Sequence, residues 1–454
     1  MLKLAILGYG VEGKSVENYF KTHPYENVDP KDIEIKIFDQ FEDSEIDSFG
    51  LENFDVVFRT PSVRPHYDFK EFEADESFGG TEKNYLKNKP YWTSATKYFF
   101  EHCPAEIIAV TGTKGKGTTC SMIANLLDSM NQKIYDKDSR PRAFLIGNIG
   151  LSPLDVLDQI TEHDNVIFEI SSFQLWDLHT SPAVSVILRI EPDHLNVHKD
   201  FEEYTYAKST LTRYQSENDF LVYYSENPVT AAIAKTSRAH KISYPIKNPS
   251  AKLTAILDSL TIPGEHNREN AEAALLAVAA RFFGGDLDQM LESEVYGALA
   301  TGMKNFKGLP HRIEFIRNLN GVEYYDDNYS SALPALDVAL KTFENYPTVL
   351  IAGGFDRKIK NGAKDRIFSA KNLEKAILIG ETAKQLAEGE PESRYEFAET
   401  LEDAVSKAKA AAEAAAKKSG KSIVLMSPGF PSFDMFKNFT DRGEKFTKIV
   451  KELK

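Results

Sequence analysis

The stretch AVTGTKGKGTT, residues 109–119, runs from an apolar strand through a glycine-rich turn into a helix. Within it the spacing is Gly112-x-x-Gly115-Lys116-Gly117-Thr118. Glycines let successive backbone N–H groups turn inward, and the helix N-terminus adds partial positive charge, so the loop suits phosphates. Lys116 is placed to meet β- and γ-phosphates, and the hydroxyl of Thr118 or Thr119 to hold Mg²⁺. A strand–loop–helix of this kind belongs to an open α/β sheet, and it sets the fold class expected around it.

Both flanks repeat the theme. Upstream, LAILGYGVEGKS (4–15) is a strand entering Gly8-x-Gly10-x-x-Gly13. Strand patterns LKLAILG, IEIKIFD and DVVFRTPS follow one another, with the helix pattern VENYFKTH between the first two. A helix capped by Thr93 or Ser94 leads on. The phosphate loop opens a second strand series: IIAVTG, FLIGNIG, VIFEISS, VSVILRI and FLVYY, closed by the helix NRENAEAALLAVAARFF. Glycine, lysine and proline interrupt the pattern in TGMKNFKGLPHR (301–312), which puts a boundary near 303–308. Beyond it, RIEFIRNLNGVEYYDD reads as a hairpin turning at Asn320-Gly321, and TVLIAGG, AILIG and SIVLMSPG alternate with helices. The run AVSKAKAAAEAAAKKSG reads as a solvated surface helix stopping at Gly420. The expectation is three consecutive α/β domains: an N-terminal Rossmann-like domain over 1–97, a central P-loop ATPase-type sheet over 98–303, and a C-terminal Rossmann-like domain over 304–454.

Bulk properties narrow the function. A chain of 454 residues suits about three domains. Its net charge of −14 argues against a nucleic-acid partner, which needs a basic face. No run of about 18 apolar residues spans a membrane, and MLKLAILGYG reads as a first strand instead of a signal peptide. Cys103 and Cys120 have no metal or redox spacing, which fits a reducing cytoplasm.

The loop at 112–118 has one residue fewer between its glycines than the common phosphate-loop pattern, and an extra glycine after the lysine. With it come, in order, GNIG (147–150), FEISSFQL (168–175), PDHLNVH (192–198), GEHNRENAEAA (264–274), GLPHRIEF (308–315), AGGFDR (352–357) and SPGFPSFDMFKNFTDRGEKF (427–446). Along nearly the whole chain this set resembles the Mur ligase superfamily of ATP-dependent amide-forming enzymes. It is most similar to the branch that joins D-glutamate to UDP-N-acetylmuramoyl-L-alanine. The resemblance implies a cytoplasmic, monomeric enzyme of peptidoglycan precursor synthesis that uses ATP and Mg²⁺ and forms an acyl phosphate.

It also implies roles. Glu169 ends an apolar strand, where a carboxylate is costly unless it meets a cation. The resemblance makes Glu169, His194 and a carbamylated Lys208 metal ligands alongside Thr118. Lys116, Glu169, His194 and Lys208 are the implied catalytic set. ATP contacts are Gly112, Thr113, Lys114, Gly115, Lys116, Gly117, Thr118 and Thr119, with Asn267 and Asn270 on one helix face at the adenine. His311, Arg312 and Asp327 join from the third domain. The UDP-sugar would meet Gly10, Val11, Glu12, Gly13, Asp39, Gln40, Thr60 and Ser62, and at its other end Asn148, Ser171 and His194. The added amino acid would meet Ser331, Arg357, Ser432 and Phe439. One motif departs: in DDNYSSA (326–332) Tyr329 stands where the family has lysine, and Ser331 where it has threonine. Competing readings are another Mur-type ligase, including folylpolyglutamate and cyanophycin synthetases, and a non-catalytic scaffold. An NAD-dependent oxidoreductase is suggested only by residues 8–13, and its ribose-binding acid would follow the last glycine by about 20 residues. Asp39 comes 26 after Gly13 (39 − 13).

Overall fold

The computed structural model describes residues 1–64, 90–148, 151–331, 333–356 and 362–454. These form three sheets. The first contains β1 (Leu2–Leu7), β2 (Ile33–Phe38), β3 (Val56–Arg59) and β4 (Tyr91–Ser94), all parallel in the order β2-β1-β3-β4. The second contains β5 (Ile107–Thr111), β6 (Ala143–Gly147), β7 (Asn165–Glu169), β8 (Val184–Ile187), β9 (Phe220–Tyr224) and β10 (His240–Tyr244). It too is parallel, in the order β10-β9-β8-β5-β7-β6. The third contains β11 (Glu314–Leu319), β12 (Val322–Asp326), β13 (Thr348–Gly353), β14 (Leu373–Ile379), β15 (Tyr395–Phe397) and β16 (Ser422–Met426), in the order β11-β12-β16-β13-β14-β15. Only its β11–β12 pair is antiparallel, and the pair turns at Asn320 and Gly321, which both take positive φ.

Central parallel strands are covered on both faces, which is why β1, β5, β7 and β13 read as unbroken apolar runs. Three strands escaped the sequence reading. β4 merged into the helix start that follows it, where the Ser94 side chain accepts the Lys97 N–H. β10, HKISY, is a half-exposed strand at the sheet edge, and β15 is three residues long.

One expectation is corrected. The helix Leu401–Ser419, stopped by Gly420 at φ 79°, is not simply a surface helix. Ala404, Ala408, Ala412 and Ala416 fall at intervals of four, and all are buried with Val322, Val349 and Val424 in one apolar cluster. Alanine lets the helix approach the sheet closely, and the lysines take the outer face.

The described residues divide into two compact units, residues 1–259 with 268–304, and residues 260–267 with 305–454. In the first unit, one hydrophobic cluster runs from Leu4, Phe20 and Phe58 through Phe99 to Ile107 and Phe168. A buried ion pair crosses the same region. Arg59, at the end of β3, donates from Nε to Asp177 Oδ2 at 2.7 Å and from Nη2 to Oδ1. Its guanidinium also bonds the carbonyls of Val63 and Phe173. Among the described residues, no helix is long and apolar enough to cross a membrane.

Candidate active site

In parallel α/β sheets, ligands bind beyond the carboxyl ends of the strands. Here the ends of β8, β5 and β7 lie side by side, and all three carry candidate residues. β5 runs into the glycine loop, and the helix Lys116–Ile134 leaves it with Gly115 as a left-handed N-cap. Gly112 has φ 149°, and a Cβ there would meet Leu188 Cβ at 2.7 Å; a Cβ on Gly115 would meet Asn270 Oδ1 at 2.5 Å. Both positions therefore require glycine. Thr113 ties the loop to the segment after β8, donating its N–H to Arg189 O at 3.0 Å and accepting the Glu191 N–H at Oγ1 at 2.9 Å. Lys116 folds back, with Nζ donating to the carbonyls of Gly112 and Thr113 at 3.1 and 3.0 Å. Lys114 is exposed, while Gly117, Thr118 and Thr119 are buried at the helix start. The Thr119 hydroxyl is buried without a hydrogen-bond partner among the described residues.

Glu169 pairs in register with Val110, two residues before Gly112. It is 3 % exposed, and its Oε1 accepts the Asn148 Nδ2–H at 2.9 Å. Oε2 is buried and, among the described residues, has no partner. A buried carboxylate oxygen left open in this way fits a cation held against the phosphate loop.

Lys208 is fully buried on the helix Phe201–Arg213. Its Nζ donates to Gly112 O at 2.9 Å and reaches Thr111 Oγ1 at 3.4 Å. Among the described residues no carboxylate pairs with it. Burial, with Lys116 nearby, pushes its pKa well below the usual lysine value, against the charges of Asp193 and Glu169, which raise it. Its Nζ lies 4.7 Å from the Tyr204 ring centroid, and the His194 ring lies 6.4 Å from the same ring. His194 takes φ 55° and is half exposed, with its ring edge-on to Phe173 at 5.1 Å.

The first sheet makes a second cradle. Gly8, Asp39 and Thr60 follow the ends of the adjacent strands β1, β2 and β3. A Cβ on Gly8 would meet Thr60 Oγ1 at 2.3 Å, and one on Gly13 would meet Gly8 O at 2.2 Å. Asp39 Oδ1 accepts the Tyr9 N–H at 3.0 Å, so this carboxylate braces the loop itself. Thr60 Oγ1 donates to Leu7 O at 2.9 Å and pairs with Ser62 Oγ at 3.0 Å. Gly10, Val11 and Gln40 line the rim; Val11 is exposed and Gln40 takes φ 55°. Glu12 is bridged to Ser171 through Gln174.

In the second unit, Asp327 follows β12 and is 4 % exposed. It accepts Ser427 Oγ–H at 2.7 Å and the Ile313 N–H at 3.2 Å, and burial raises its pKa to about 7. His311, at φ 61°, pairs through Nδ1 with the buried Asp326 at 2.7 Å, and this bond raises its pKa. The Arg312 guanidinium carbon lies 3.8 Å from the Tyr329 ring centroid, and Phe439 meets that ring edge-on at 5.2 Å. Ser432 is buried and Ser331 is partly exposed. Asn267 donates to Pro263 O at 2.6 Å. Arg357 lies outside the described residues, as do residues 149 and 150 of GNIG and Ala332 of DDNYSSA.

Sequence reasoning missed the residues that hold these groups in place. Gln174 closes a capping box with Ser171, and Ser-x-x-Gln before the apolar run was the available signal. Arg442 is buried and joins Asn328 Oδ1, at 2.6 Å, to Phe430 O, at 3.2 Å. His198, buried, bonds Ser172 Oγ at 2.9 Å and stacks on Phe173; burial lowers its pKa to about 4.

Residues 110–278 match the family model of the Mur ligase middle domain. A protein of Acetivibrio thermocellus named UDP-N-acetylmuramoylalanine--D-glutamate ligase is 33% identical, over 99% of this chain and 96% of its own length. One of the same name from Clostridium tetani is 32% identical, over 89% of this chain and 84% of its own. Among solved structures, the MurF ligase of Thermotoga maritima in complex with ADP aligns with a TM-score of 0.53 at 15% identity, covering 90% of this chain and 92% of its own. Folylpolyglutamate synthase of Mycobacterium tuberculosis complexed with ADP also gives 0.53 at 15%, covering 79% and 94%. At that identity, the two structures speak for the three-sheet α/β fold.

Proposed function

The chain belongs to the Mur ligases, among the UDP-N-acetylmuramoylalanine--D-glutamate ligases, and from that membership we propose how its residues carry the reaction. It is an ATP-dependent ligase that adds D-glutamate to UDP-N-acetylmuramoyl-L-alanine in peptidoglycan precursor synthesis. The alanine carboxylate attacks the γ-phosphorus of ATP and ADP leaves. The D-glutamate amine then attacks the acyl carbon, phosphate departs, and the amine gives up its proton. Both steps crowd anions together, so fixed cations and donors do most of the work.

In this reading the loop from Gly112 to Thr119 cradles the ATP phosphates. Lys116 turns from the carbonyls of Gly112 and Thr113 towards them. Asn267, Asn270, His311, Arg312 and Asp327 hold the nucleoside. The residues following β1, β2 and β3 hold the UDP end, with Asn148, Ser171 and His194 at the muramoyl-alanine end. Ser331, Arg357, Ser432 and Phe439 take the D-glutamate. Thr118, Glu169 and His194 would hold Mg²⁺, and the open Glu169 Oε2 supports Glu169 in that role. When bound, the metal neutralises phosphate charge. The lowered pKa of Lys208 favours the uncharged amine, which can add CO₂ and release one proton to become a carbamate anion. Division at 97/98 and 303/304, a monomer, and a cytoplasmic location where UDP-sugars and ATP are both present complete the proposal.

The observation that carries it is the convergence, on one phosphate loop, of Glu169, buried with one carboxylate oxygen open, and Lys208, buried and bonded only to loop oxygens among the described residues. The test is phosphate release by the purified protein with Mg²⁺-ATP and UDP-N-acetylmuramoyl-L-alanine. D-glutamate, L-glutamate, D-aspartate, L-lysine and diaminopimelate are offered one at a time. Turnover with D-glutamate alone is expected, and turnover only with another amino acid would overturn the specificity.

A further inference from the structure

Arg442 occupies an unfavourable place for a cation. It is the fourth residue of the helix Phe439–Glu452, near the positive end of that helix, and it is 1 % exposed. Burial lowers its pKa to about 10, against the charges of Asp434 and Asp326, so the guanidinium stays charged at neutral pH. Among the described residues no carboxylate bonds it; its partners are one side-chain amide and two carbonyls. A well-packed apolar side chain often fills such a place without loss of stability, so packing alone gives no reason for a guanidinium. Its partners give one. Nε donates to Asn328 Oδ1 at 2.6 Å, and Nη2 donates to the carbonyls of Asn328 and Phe430 at 3.4 and 3.2 Å. Asn328 is itself buried and fixed, with its N–H and its Nδ2–H both donated to Asp326 Oδ1 at 3.0 and 2.6 Å.

The two loops leave the carboxyl ends of the neighbouring strands β12 and β16. Asn328 directly follows Asp327, and only Pro431 separates Phe430 from Ser432. The loops also meet directly, where Ser427 Oγ donates to Asp327 Oδ2 at 2.7 Å and the Gly429 N–H to Ser330 O at 2.9 Å. Beyond Gly429, Arg442 ties Phe430 to Asn328. Pro431 O accepts the Phe355 N–H at 2.9 Å, so the loop after β13 hangs on the same segment. We propose that Arg442 is a positioning residue that sets the ATP-binding loop at Asp327 and the D-glutamate-binding loop at Ser432 against each other, so that both substrates lose affinity together when its fork is broken. This rests on the reading of Asp327 and Ser432 as contacts of those two substrates. A planar guanidinium reaches both loops at once, whereas the lysine ammonium carries the same charge at a single point.

The experiment is steady-state kinetics of the full chain carrying Arg442→Lys, with ATP and D-glutamate varied in turn, beside calorimetric binding of UDP-N-acetylmuramoyl-L-alanine without ATP. KM for ATP and KM for D-glutamate should each rise about tenfold, while Kd for the UDP-sugar stays unchanged. Groups that act as one unit are not additive. In a Ser432→Ala background the further effect of Arg442→Lys on KM for D-glutamate should therefore shrink to about twofold or less, and in Asp327→Asn the effect on KM for ATP likewise. Unchanged KM values, a rise in only one of them, or full additivity in the double variants overturns the proposal. A Kd for the UDP-sugar that weakens in step marks a general loss of structure and overturns it too. If Arg442→Lys does not fold, Asn328→Ala removes the Nε partner from the other end; both KM values should then rise about threefold, and unchanged values overturn the proposal. If Asp327→Asn leaves KM for ATP as it was and Ser432→Ala leaves KM for D-glutamate as it was, the reading of the two loops falls as well. If both respond and Arg442→Lys does not, only the role of Arg442 falls.

Discussion

The guanidinium of Arg312 lies over the ring of Tyr329, its carbon 3.8 Å from the centroid. The tyrosine brings no charge of its own, yet it orients a neighbouring one. Phe439 closes the ring's edge, so the stack is held from two sides. An exposed cation–π contact contributes about 0.5–1 kcal/mol. With Arg312 as a nucleotide contact, Tyr329→Leu should raise KM for ATP about two- to fivefold, leaving kcat and Tm nearly unchanged. Steady-state kinetics with varied ATP checks this, and an unchanged KM would sink the role given to the stack.

Glu169→Gln keeps the shape and the Asn148 contact but removes the anion. Loss of a metal-holding carboxylate costs several kcal/mol of transition-state stabilisation, so kcat should fall by about a thousandfold or more. Removing a buried charge should leave Tm equal or higher. A variant with full kcat would show that Glu169 is structural.

Lys208→Met should abolish turnover while raising Tm at pH 7. A lysine whose folded pKa lies far below its unfolded value binds fewer protons when folded. Its unfavourable contribution therefore grows as pH falls below the unfolded value and levels off below the folded one. Methionine removes that penalty. Activity of the unmodified protein should also fall in CO₂-free buffer and return with bicarbonate. Insensitivity to CO₂ would argue against the carbamate.

His311 has the opposite sign. Its folded pKa is raised by Asp326, so the stability from this pair is complete below the unfolded pKa and is lost as pH rises through the folded one. A hydrogen bond to a charged group contributes about 1.5–3 kcal/mol. The Tm difference between the unmodified protein and His311→Gln should be largest near pH 6 and small above pH 9. A difference independent of pH would mean that His311 packs without being charged.

The local grammar of the chain was readable. Asn-Gly gave the β11–β12 turn, and Gly-x-x-Gly-Lys-Gly-Thr gave the loop, because both depend on backbone conformations that few residues permit. The alanines at 404, 408, 412 and 416 were also legible as a buried stripe, though charge drew attention to the wrong face. Partners distant in sequence were not readable. Nothing at Arg442 announces Asn328, 114 residues away, and nothing at Gln174 announces Glu12, 162 away. Such pairings are settled by sheet order and packing, which leave no periodic trace.

The buried pair Arg59 and Asp177 has a bearing on how this molecule can be recombined. It sits where the first sheet meets the second, with both side chains almost wholly out of water. A chimera that took residues 1–97 from a relative without the arginine would strand Asp177, at a cost of about 3–5 kcal/mol. The two positions must therefore be inherited together, so that a crossover point between them is tolerated only when both parents already agree.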